Sequence, residues 1–493
     1  MSLEDLRKIR EEKLDLLKKA GVNPYPAKPS FQLSEVAAVK KNFEKHRRSR
    51  RPLAVAGRVM AKRAHGQAAF LDIFDGSTTL ATGDTDKLQV FLAKDKLGEK
   101  SFALFSTTVD IGDFIAAYGK VFLTKKKEQT LEAVKWEMLT KSLRPLPEKW
   151  HGLQDPEEKL RRRYLDILFS PEARELAEKK AVFWNAVREF HIKNGFLEVE
   201  TPVLEVTTGG ADAKPFITHH HALDMDVYLR ISAGELWQKR LMVAGLRKTF
   251  EIGRIFRNEG MSAEHLQDYT QCEAYWAYAD YEDMYKFLRD CYKYAAKKTF
   301  GTLQFKINGF DVDLGKKWPL LDYTAEIKKQ TGLDIWTASD KEMEQKLEKL
   351  QVEYDARNRA RLMDALWKYC RKNIGGPVIV INEPKITSPL SKTSPKNPNI
   401  TERFHFIIGG SELGQGYSEL NDPIDQKERF EAQEKLRKLG DESAQMTDDE
   451  FIEALEYGMP PTAGHGFSER LFSFLMDKPV RETQLFPLMK PKE

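Results

Sequence analysis

Between residues 52 and 140 the chain alternates apolar and polar positions in short runs: LAVAGRV, AAFLDIF, LQVFLA, DFIAAYGKVFL and LEAVKWEML. Turns carrying Gly and Asp separate them, so the pattern predicts five strands and a small closed barrel. Residues 4–20 set Leu6, Ile9, Leu14, Leu16 and Leu17 among charges at near-helical spacing, and Gly21 ends that helix. Asn23-Pro24-Tyr25-Pro26 then breaks the chain. Beyond the barrel, residues 172–193 predict a long helix that stops at Asn194-Gly195 before a strand, FLEVETPVL. Residues 246–281 read as two strands around a loop, and residues 340–375 as a charged helical insertion. A Gly-rich strand region follows at 404–421, and GMPPTAGHGFSERLFSFLMD predicts a turn entering a helix. No internal repeat is present. Strands and helices mixed in this order predict an α+β architecture rather than regular βαβ winding.

Length and composition narrow the class. A chain of 493 residues implies two or three domains, and 41% hydrophobic with 31% charged residues is a globular balance. No apolar run approaches the roughly 20 residues that cross a bilayer. The first 21 residues are charged from Glu4 and lack a signal-peptide core. Cys272, Cys291 and Cys370 have no paired spacing, which predicts a reducing compartment, no zinc site and a cytoplasmic location. Charge is uneven: residues 1–150 hold 29 Lys/Arg against 19 Asp/Glu, and the remainder 50 against 56. The basic stretch KKNFEKHRRSRR at 40–51 adds to this. A polyanion partner and a merely solvated basic surface explain the asymmetry equally well. The barrel, of the oligonucleotide-binding type, carries Arg63, Phe70, Phe74, Gln89 and Lys125–Lys127, a mixture suited to single-stranded nucleic acid. Taken singly, Phe70 and Phe74 are better read as core aromatics.

Three segments could carry chemistry. Phe256-Arg257-Asn258-Glu259-Gly260 lies between two strands, with His265 and Tyr269 after it. An Arg at a strand end can grip a phosphate, a carboxylate can accept from an adenine amine, and a ring can stack on the base. A salt-bridged turn is the plainer reading of the pentapeptide. Gly464-His465-Gly466 precedes Arg470, which could reach a terminal phosphate from the first turn of a helix. The segment lacks the Lys-Ser/Thr of a P-loop and the third Gly of a dinucleotide fingerprint. In GGSELGQGYSELND, Glu412 and Glu419 fall on opposite faces of a regular strand, unless a bulge at a Gly changes this. Buried carboxylates require cations, and two acids at an exposed sheet edge are the alternative.

Together these segments resemble the class II aminoacyl-tRNA synthetases, and among them the lysyl-tRNA synthetases. The resemblance runs from REEKLDLLKKAGVNPYP through LTKSLRPLPEKWHGLQDPEEKLRRRYLDIL, GFLEVETPVL and GGADAKPFITHHHALDMDVYLRI. It continues through FRNEG, GYSELNDPIDQKERF, GMPPTAG and QLFPLMKP. Motif 1 ends at Pro202, motif 2 surrounds Arg257 and motif 3 ends at Arg470, in the family's order. The class I signatures are absent. The resemblance implies a basic helical extension over 1–50, an anticodon-binding five-stranded OB-type barrel over 51–143 and a linker over 144–175. A catalytic domain over 176–493 then has an antiparallel sheet flanked by helices and a helical insertion at about 325–375. It implies a homodimer built on motif 1, no membrane association, and the substrates ATP, L-lysine and tRNA(Lys).

The resemblance also implies roles for single residues. Arg257 and Arg470 are the catalytic cations. ATP contacts are expected from Arg257, Glu259, His265, Tyr269, Glu412 and Arg470, with magnesium on Glu412. Lysine contacts are expected from Glu235, Arg257, Glu273, Tyr275, Gln415 and Glu419, and anticodon contacts from Arg63, Phe70, Gln89 and Glu128. Four departures stand out. Motif 3 is Gly-x-Gly-x-x-x-Arg, a residue shorter than the usual form, and motif 2 carries His265-Leu266-Gln267-Asp268-Tyr269 in place of His-Asn-Pro-Glu-Phe. His405 stands where the family usually has a second metal-binding acid, and a neutral imidazole is a poor magnesium ligand. ISAGEL carries an extra residue before Glu235, and GSTTLATGDT lengthens a barrel loop. A catalytically weak RNA-binding paralogue, and a ligase for aspartate or asparagine, are the competing readings.

Overall fold

The computed structural model describes residues 1–492 apart from 77–85, 148–152, 212, 261, 355–357 and 440–443. The lengthened barrel loop and part of the linker fall outside the described residues. The chain divides into two compact units, Met1–Glu178 and Lys179–Glu493.

The first unit opens with α1 (Leu3–Lys19), α2 (Val36–Lys41) and α3 (Phe43–Ser49). Ser2 caps α1 by accepting from Asp5 N while Asp5 reaches back to the Ser2 amide, which satisfies two otherwise orphaned donors. The strands β1 (Leu53–His65), β2 (Ala68–Phe74), β3 (Lys87–Ala93), β4 (Phe114–Leu123) and β5 (Gln129–Thr140) follow. Between β3 and β4 lie α4 (Lys94–Leu97) and α5 (Glu99–Thr108). The five strands close in the order β1-β2-β3-β5-β4. Alternation works as read from the sequence: Leu71, Ile73, Leu88, Val90 and Leu92 point inward to a core that also holds Leu17, Val39 and Phe105. Phe70 and Phe74 do not join it. They occupy the half-exposed outer positions of β2, where Phe70 packs on Phe91 across the ladder with centroids 4.8 Å apart. Period-2 register assigns them outward however apolar they are. The helices α6 (Pro156–Arg161) and α7 (Arg163–Phe169) complete this unit.

Beneath the barrel, Lys141 is fully buried, with Nζ 2.6 Å from Asp110, 2.8 Å from Asp113 and 2.7 Å from the Thr108 carbonyl. Arg10 of α1 donates to the carbonyls of Ile111 (2.9 Å) and Ser142 (3.1 Å), fastening the helix to the same corner.

The second unit takes over within α8 (Pro171–Lys193). The expected strand FLEVETPVL is two fragments, β6 (Leu197–Glu198) and β7 (Leu204–Glu205), in different sheets. Pro202 between them has no amide to donate to a ladder. β7 joins β8 (Ile217–His220) and β9 (Met225–Leu229) in a three-stranded sheet, and α9 (Glu235–Val243) follows. Then come β10 (Lys248–Phe256), β11 (Asp268–Ala277), α10 (Tyr281–Phe300), the hairpin β12 (Gln304–Ile307) and β13 (Phe310–Asp313), and β14 (Leu320–Asp322). The insertion is α11 (Tyr323–Thr331), α12 (Asp340–Lys349) and α13 (Arg359–Arg371). Its core of Ile327, Leu347, Leu366 and Trp367 is continuous with Val380 and Ile407 of the sheet, so it packs as part of the domain.

The remaining strands are β15 (Val378–Ile381), β16 (Arg403–Ile408), β17 (Ser411–Ser418) and β18 (Thr462–Ser468). The remaining helices are α14 (Pro423–Lys438), α15 (Asp449–Glu456) and α16 (Arg470–Leu475). The large sheet runs β14-β15-β16-β17-β18-β11-β10-β6, antiparallel except at its two edges. GHG is therefore the middle of a central strand, where a turn was expected from composition. Pairing with β11 and β17 overrides the weak strand propensity of glycine.

Replacing Lys141 with Met is expected to cost about 3 kcal/mol of stability, because it leaves the buried Asp113 carboxylate without its cation. Urea unfolding measures this, and a loss below about 1 kcal/mol would show that neutral donors suffice.

Candidate active site

The site is built across three neighbouring strands. Gly464 of β18 lies opposite Tyr275 of β11 on one side and Tyr417 of β17 on the other; Gly466 likewise lies between Glu273 and Gln415. Two residues apart, both glycines face the same side, so the middle strand contributes no side chains and a groove opens between its neighbours. A Cβ at Gly464 would sit 2.5 Å from Glu419 Oε1 and 2.6 Å from the Tyr275 ring. Only glycine fits there. The intervening His465 points the other way, buried against His191 at 3.2 Å between Nε2 atoms. Desolvation holds both rings below their usual pKa, His191 down to about 4, and therefore neutral.

A bulge settles the face of the two acids in GGSELGQGYSELND. Ile407 pairs with Glu412 but Phe406 with Gly414, so Leu413 is an extra residue on β17. It flips the parity, and Glu412, Gln415 and Tyr417 all face one cavity of about 370 Å³. Arg257, His265, His405 and Arg470 line the same cavity.

At the end beyond Tyr417 lies a cluster of buried carboxylates. Glu235 opens α9 after Gly234, Glu273 sits on β11 and Glu419 follows β17; they are 6%, 3% and 1% exposed. One ammonium answers them. Lys239, a helical turn beyond Glu235 and 1% exposed, places Nζ 2.8 Å from Glu235 Oε1 and 2.6 Å from Glu419 Oε2. Tyr417 donates its hydroxyl to Glu235. Among the described residues Glu273 receives only neutral donors, Ala233 N (2.9 Å), Gln271 Nε2 (2.5 Å) and the Tyr275 hydroxyl (3.4 Å). Burial and the neighbouring Glu235 push the Glu273 pKa up. Burial raises Glu419 as well, against the pull of Lys239. Carboxylates outnumber cations here.

The opposite end is rich in cations. Arg257 donates Nε to the Ile231 carbonyl (3.2 Å), its guanidinium 5.8 Å from the centroid of Tyr269. Arg470 opens α16, and Arg371 of α13 comes within 3.5 Å of Glu412. His405 sits between two acids, with Nε2 hydrogen-bonded to Glu383 and Nδ1 2.9 Å from Glu412 Oε1. Burial alone would lower its pKa, but Glu412 and then Glu383 push it up to about 9, so the ring is a cation at neutral pH. Glu412 is correspondingly held well below the usual carboxylate range, burial being outweighed by His405 and Arg371.

Of the residues expected from sequence, the cavity wall brings together Arg257, His265, His405, Glu412, Gln415 and Arg470. Tyr269 lies beside Arg257, and Glu259 is exposed on the loop after β10. Glu235, Glu273, Tyr275 and Glu419 form the buried cluster. In the separate barrel unit, Arg63, Phe70 and Gln89 share the outer face: Arg63 reaches Asp72 (3.0 Å), and Gln89 accepts from Thr130 (2.9 Å). Glu128 is exposed in the β4–β5 turn. Sequence reasoning missed Lys239, whose i+4 spacing from Glu235 was the available signal. The charged helical insertion was expected, but not that Arg361, Asp364, Lys368 and Arg371 of α13, recurring at helical spacing, line the cavity.

Comparison with known proteins agrees with this geometry. Residues 155–490 match the family model described as tRNA synthetases class II (D, K and N), and residues 53–139 match the OB-fold nucleic acid binding domain. A protein named lysine–tRNA ligase from Thermotoga sp. (strain RQ2) is 40% identical, covering 100% of this chain and 97% of its own length. Proteins of the same name from Moorella thermoacetica and Clostridium acetobutylicum are each 42% identical over 99% of this chain, covering 98% and 94% of their own lengths.

The His405 cation makes the domain's stability depend on pH. Its folded pKa lies above the ordinary 6.5, so its contribution is complete below pH 6.5 and disappears as pH rises through about 9. The stability difference between the natural chain and His405→Gln should therefore shrink across that window by roughly 3 kcal/mol at most. Denaturant melts at several pH values measure it, and a flat difference would mean a neutral ring.

Proposed function

The chain belongs to the class II tRNA synthetases, and within that family we propose that it is a lysine–tRNA ligase, activating L-lysine with ATP and transferring it to tRNA(Lys). The buried cluster carries this reading. Three carboxyl groups face one ammonium, and burial holds Glu273 and Glu419 towards the protonated form; a doubly cationic amino acid would draw them into ionising and pairing with it, whereas an aspartate side chain would find no cation to pair with. The protein's own Lys239 already demonstrates the pairing that the ligand would extend. Glu235 would take the α-amino group, with Glu419 and Tyr275 at the ε-ammonium and Glu273 and Gln415 beside them.

Arg257 would hold the amino acid's carboxylate against the α-phosphate of ATP. Arg470 and His265 would hold the terminal phosphate, and Glu259 and Tyr269 the adenine. The carboxylate attacks the α-phosphorus in line and pyrophosphate leaves, its charge offset by Arg257 and Arg470. The ribose hydroxyl of the tRNA terminus then attacks the acyl carbon of the mixed anhydride, forming the ester as the acyl–phosphate bond breaks and AMP leaves with the proton lost from the hydroxyl. No side chain acts as a nucleophile, so orientation and charge supply the rate.

Magnesium is implied by the family. The residues present do not fit a resident ion held by Glu412 and His405: both ring nitrogens of His405 face carboxylates, and Glu412 already meets His405 and Arg371. The ion would arrive on the ATP phosphates.

The outer face of the barrel, with the tilted pair of Phe70 and Phe91 rings beside Arg63 and Gln89, suits unpaired bases and supports anticodon reading there, with Glu128 at its edge. Exposed Val203, Leu204, Val206 and Ile217 around the three-stranded sheet support a homodimer. Among the described residues no helix is long and apolar enough to cross a membrane, and we place the protein in the cytoplasm.

ATP–pyrophosphate exchange with each of the 20 amino acids should respond to lysine alone. Exchange with aspartate or asparagine would overturn the pocket assignment, and exchange with none would favour the RNA-binding paralogue. Glu419→Gln should raise the lysine KM at least ten-fold while leaving the KM for ATP within about two-fold, since a buried charge partner costs upwards of 1.4 kcal/mol.

A further inference from the structure

Glu264 stands on the loop between β10 and β11, one residue before His265, and its contacts are unusual for a loop acid. Its Oε2 is hydrogen-bonded to Nη2 of Arg470 and accepts from the Ser411 hydroxyl at 2.6 Å; Arg470 Nη2 also donates to Ser411 Oγ at 2.7 Å. The three groups form a closed ring of contacts at the cation-rich end of the cavity. Ser411 is 1% exposed, so the anchor point is rigid. The Arg470 Nε is buried and has no hydrogen-bond partner among the described residues, so the guanidinium retains a donor that Glu264 does not use. Burial raises the Glu264 pKa, and Arg470 with Ser411 more than reverses this, so it is an anion.

Two features separate this pair from an ordinary structural salt bridge. The Glu264 side chain remains 33% exposed on a surface loop, whereas Arg470 is fixed at the start of α16 and is 20% exposed. The loop is pinned through its backbone instead: Ala263 O accepts from Val480 N (2.9 Å), and Glu264 N donates to Ser262 Oγ (3.1 Å). Rotation of one side chain would free Arg470 with the loop stem in place. Arg371 also acts electrostatically on both members of the pair, so several positive groups converge on a space where the protein supplies Glu412 from the sheet and Glu264 from a surface loop.

We propose that Glu264 is a built-in stand-in for the terminal phosphate of ATP, holding Arg470 oriented before nucleotide binds and leaving it when a triphosphate or pyrophosphate arrives. It is a positioning residue that sets nucleotide affinity by competing for Arg470 and Ser411. The inference rests on the reading that Arg470 takes the terminal phosphate, and adds that the position is occupied beforehand by the chain's own carboxylate.

Binding of ATP, inorganic pyrophosphate and AMP to the full-length protein and to Glu264→Gln, by isothermal titration without amino acid or tRNA, tests it. Glutamine keeps the size of the side chain and an acceptor for Ser411, so Arg470 retains its surroundings. ATP and pyrophosphate should bind the variant roughly five-fold more tightly, the strength of a partly exposed ion pair, while AMP, lacking the terminal phosphates, should be unchanged. Unchanged or weaker ATP binding, or an equal gain for AMP, would overturn the proposal. Lysine-dependent exchange on the same preparations tests the ligase reading separately, because the binding experiment needs no amino acid.

Discussion

Negative charge buried in the middle of a β-sheet is the constraint around which the catalytic domain is arranged. Glu235, Glu273 and Glu419 are almost wholly removed from water, and each ionised carboxylate would cost several kcal/mol without compensation. The fold answers in three ways. Gly464 and Gly466 clear the strand between them, so the acids of β11 and the β17 end approach one space. Glu235 is the first residue of α9, where the amide dipoles favour negative charge. Lys239 follows one helical turn later and bridges two of the three. What remains is an excess of carboxyl groups over cations, and the proposed preference for lysine rests on that excess.

The other end of the cavity has the opposite problem and solves it similarly. Arg257, Arg371 and Arg470 converge where phosphates would lie, and repulsion among them would splay them apart in an empty site. Glu412 and Glu264 prevent this, Glu412 being itself held by the His405 cation. Each end is thus charged to suit a ligand and also carries a counter-ion of the protein's own. Such preorganisation means that the site need not rearrange its dipoles as charge moves in the reaction, the condition under which electrostatic stabilisation is most effective.

Much of this was legible beforehand, and the reasons for the remainder are specific. The barrel strands were readable because period-2 alternation is strong where one face is buried. Phe70 was placed wrongly by residue type, since an aromatic on the outer face looks like a core aromatic until register is known. The GHG segment reads as a turn because glycine propensity is local, whereas its strand state comes from ladders to β11 and β17, residues 462–468 pairing with 271–277 and residues 463–466 with 415–418. The one-face placement of Glu412 and Gln415 turned on a single extra residue, Leu413, whose carbonyl accepts from Tyr292 at 2.7 Å. Motif spacing named most of the candidate ligand contacts but not their partners. Lys239, Glu264 and Glu383 matter only through contacts with residues distant in sequence or hidden in a helical i+4 relation, which a linear reading passes over.

The two stand-ins differ in a way that bears on how the site fills. Lys239 is locked: it is fully buried, on a helix, and paired to acids from two separate elements, so removing it would strand two carboxylates. On the proposed reading an incoming amino acid would share Glu235 and Glu419 with it, which the excess of acids allows. Glu264 sits on a surface loop and can leave without stranding a buried charge, since its own carboxylate returns to water. The acidic end therefore fills by addition and the basic end by exchange. Exchange lowers nucleotide affinity in the ground state, because each binding event gives up one ion pair to make another. It leaves untouched the contacts that strengthen only as pyrophosphate departs, and those are the ones that raise the rate.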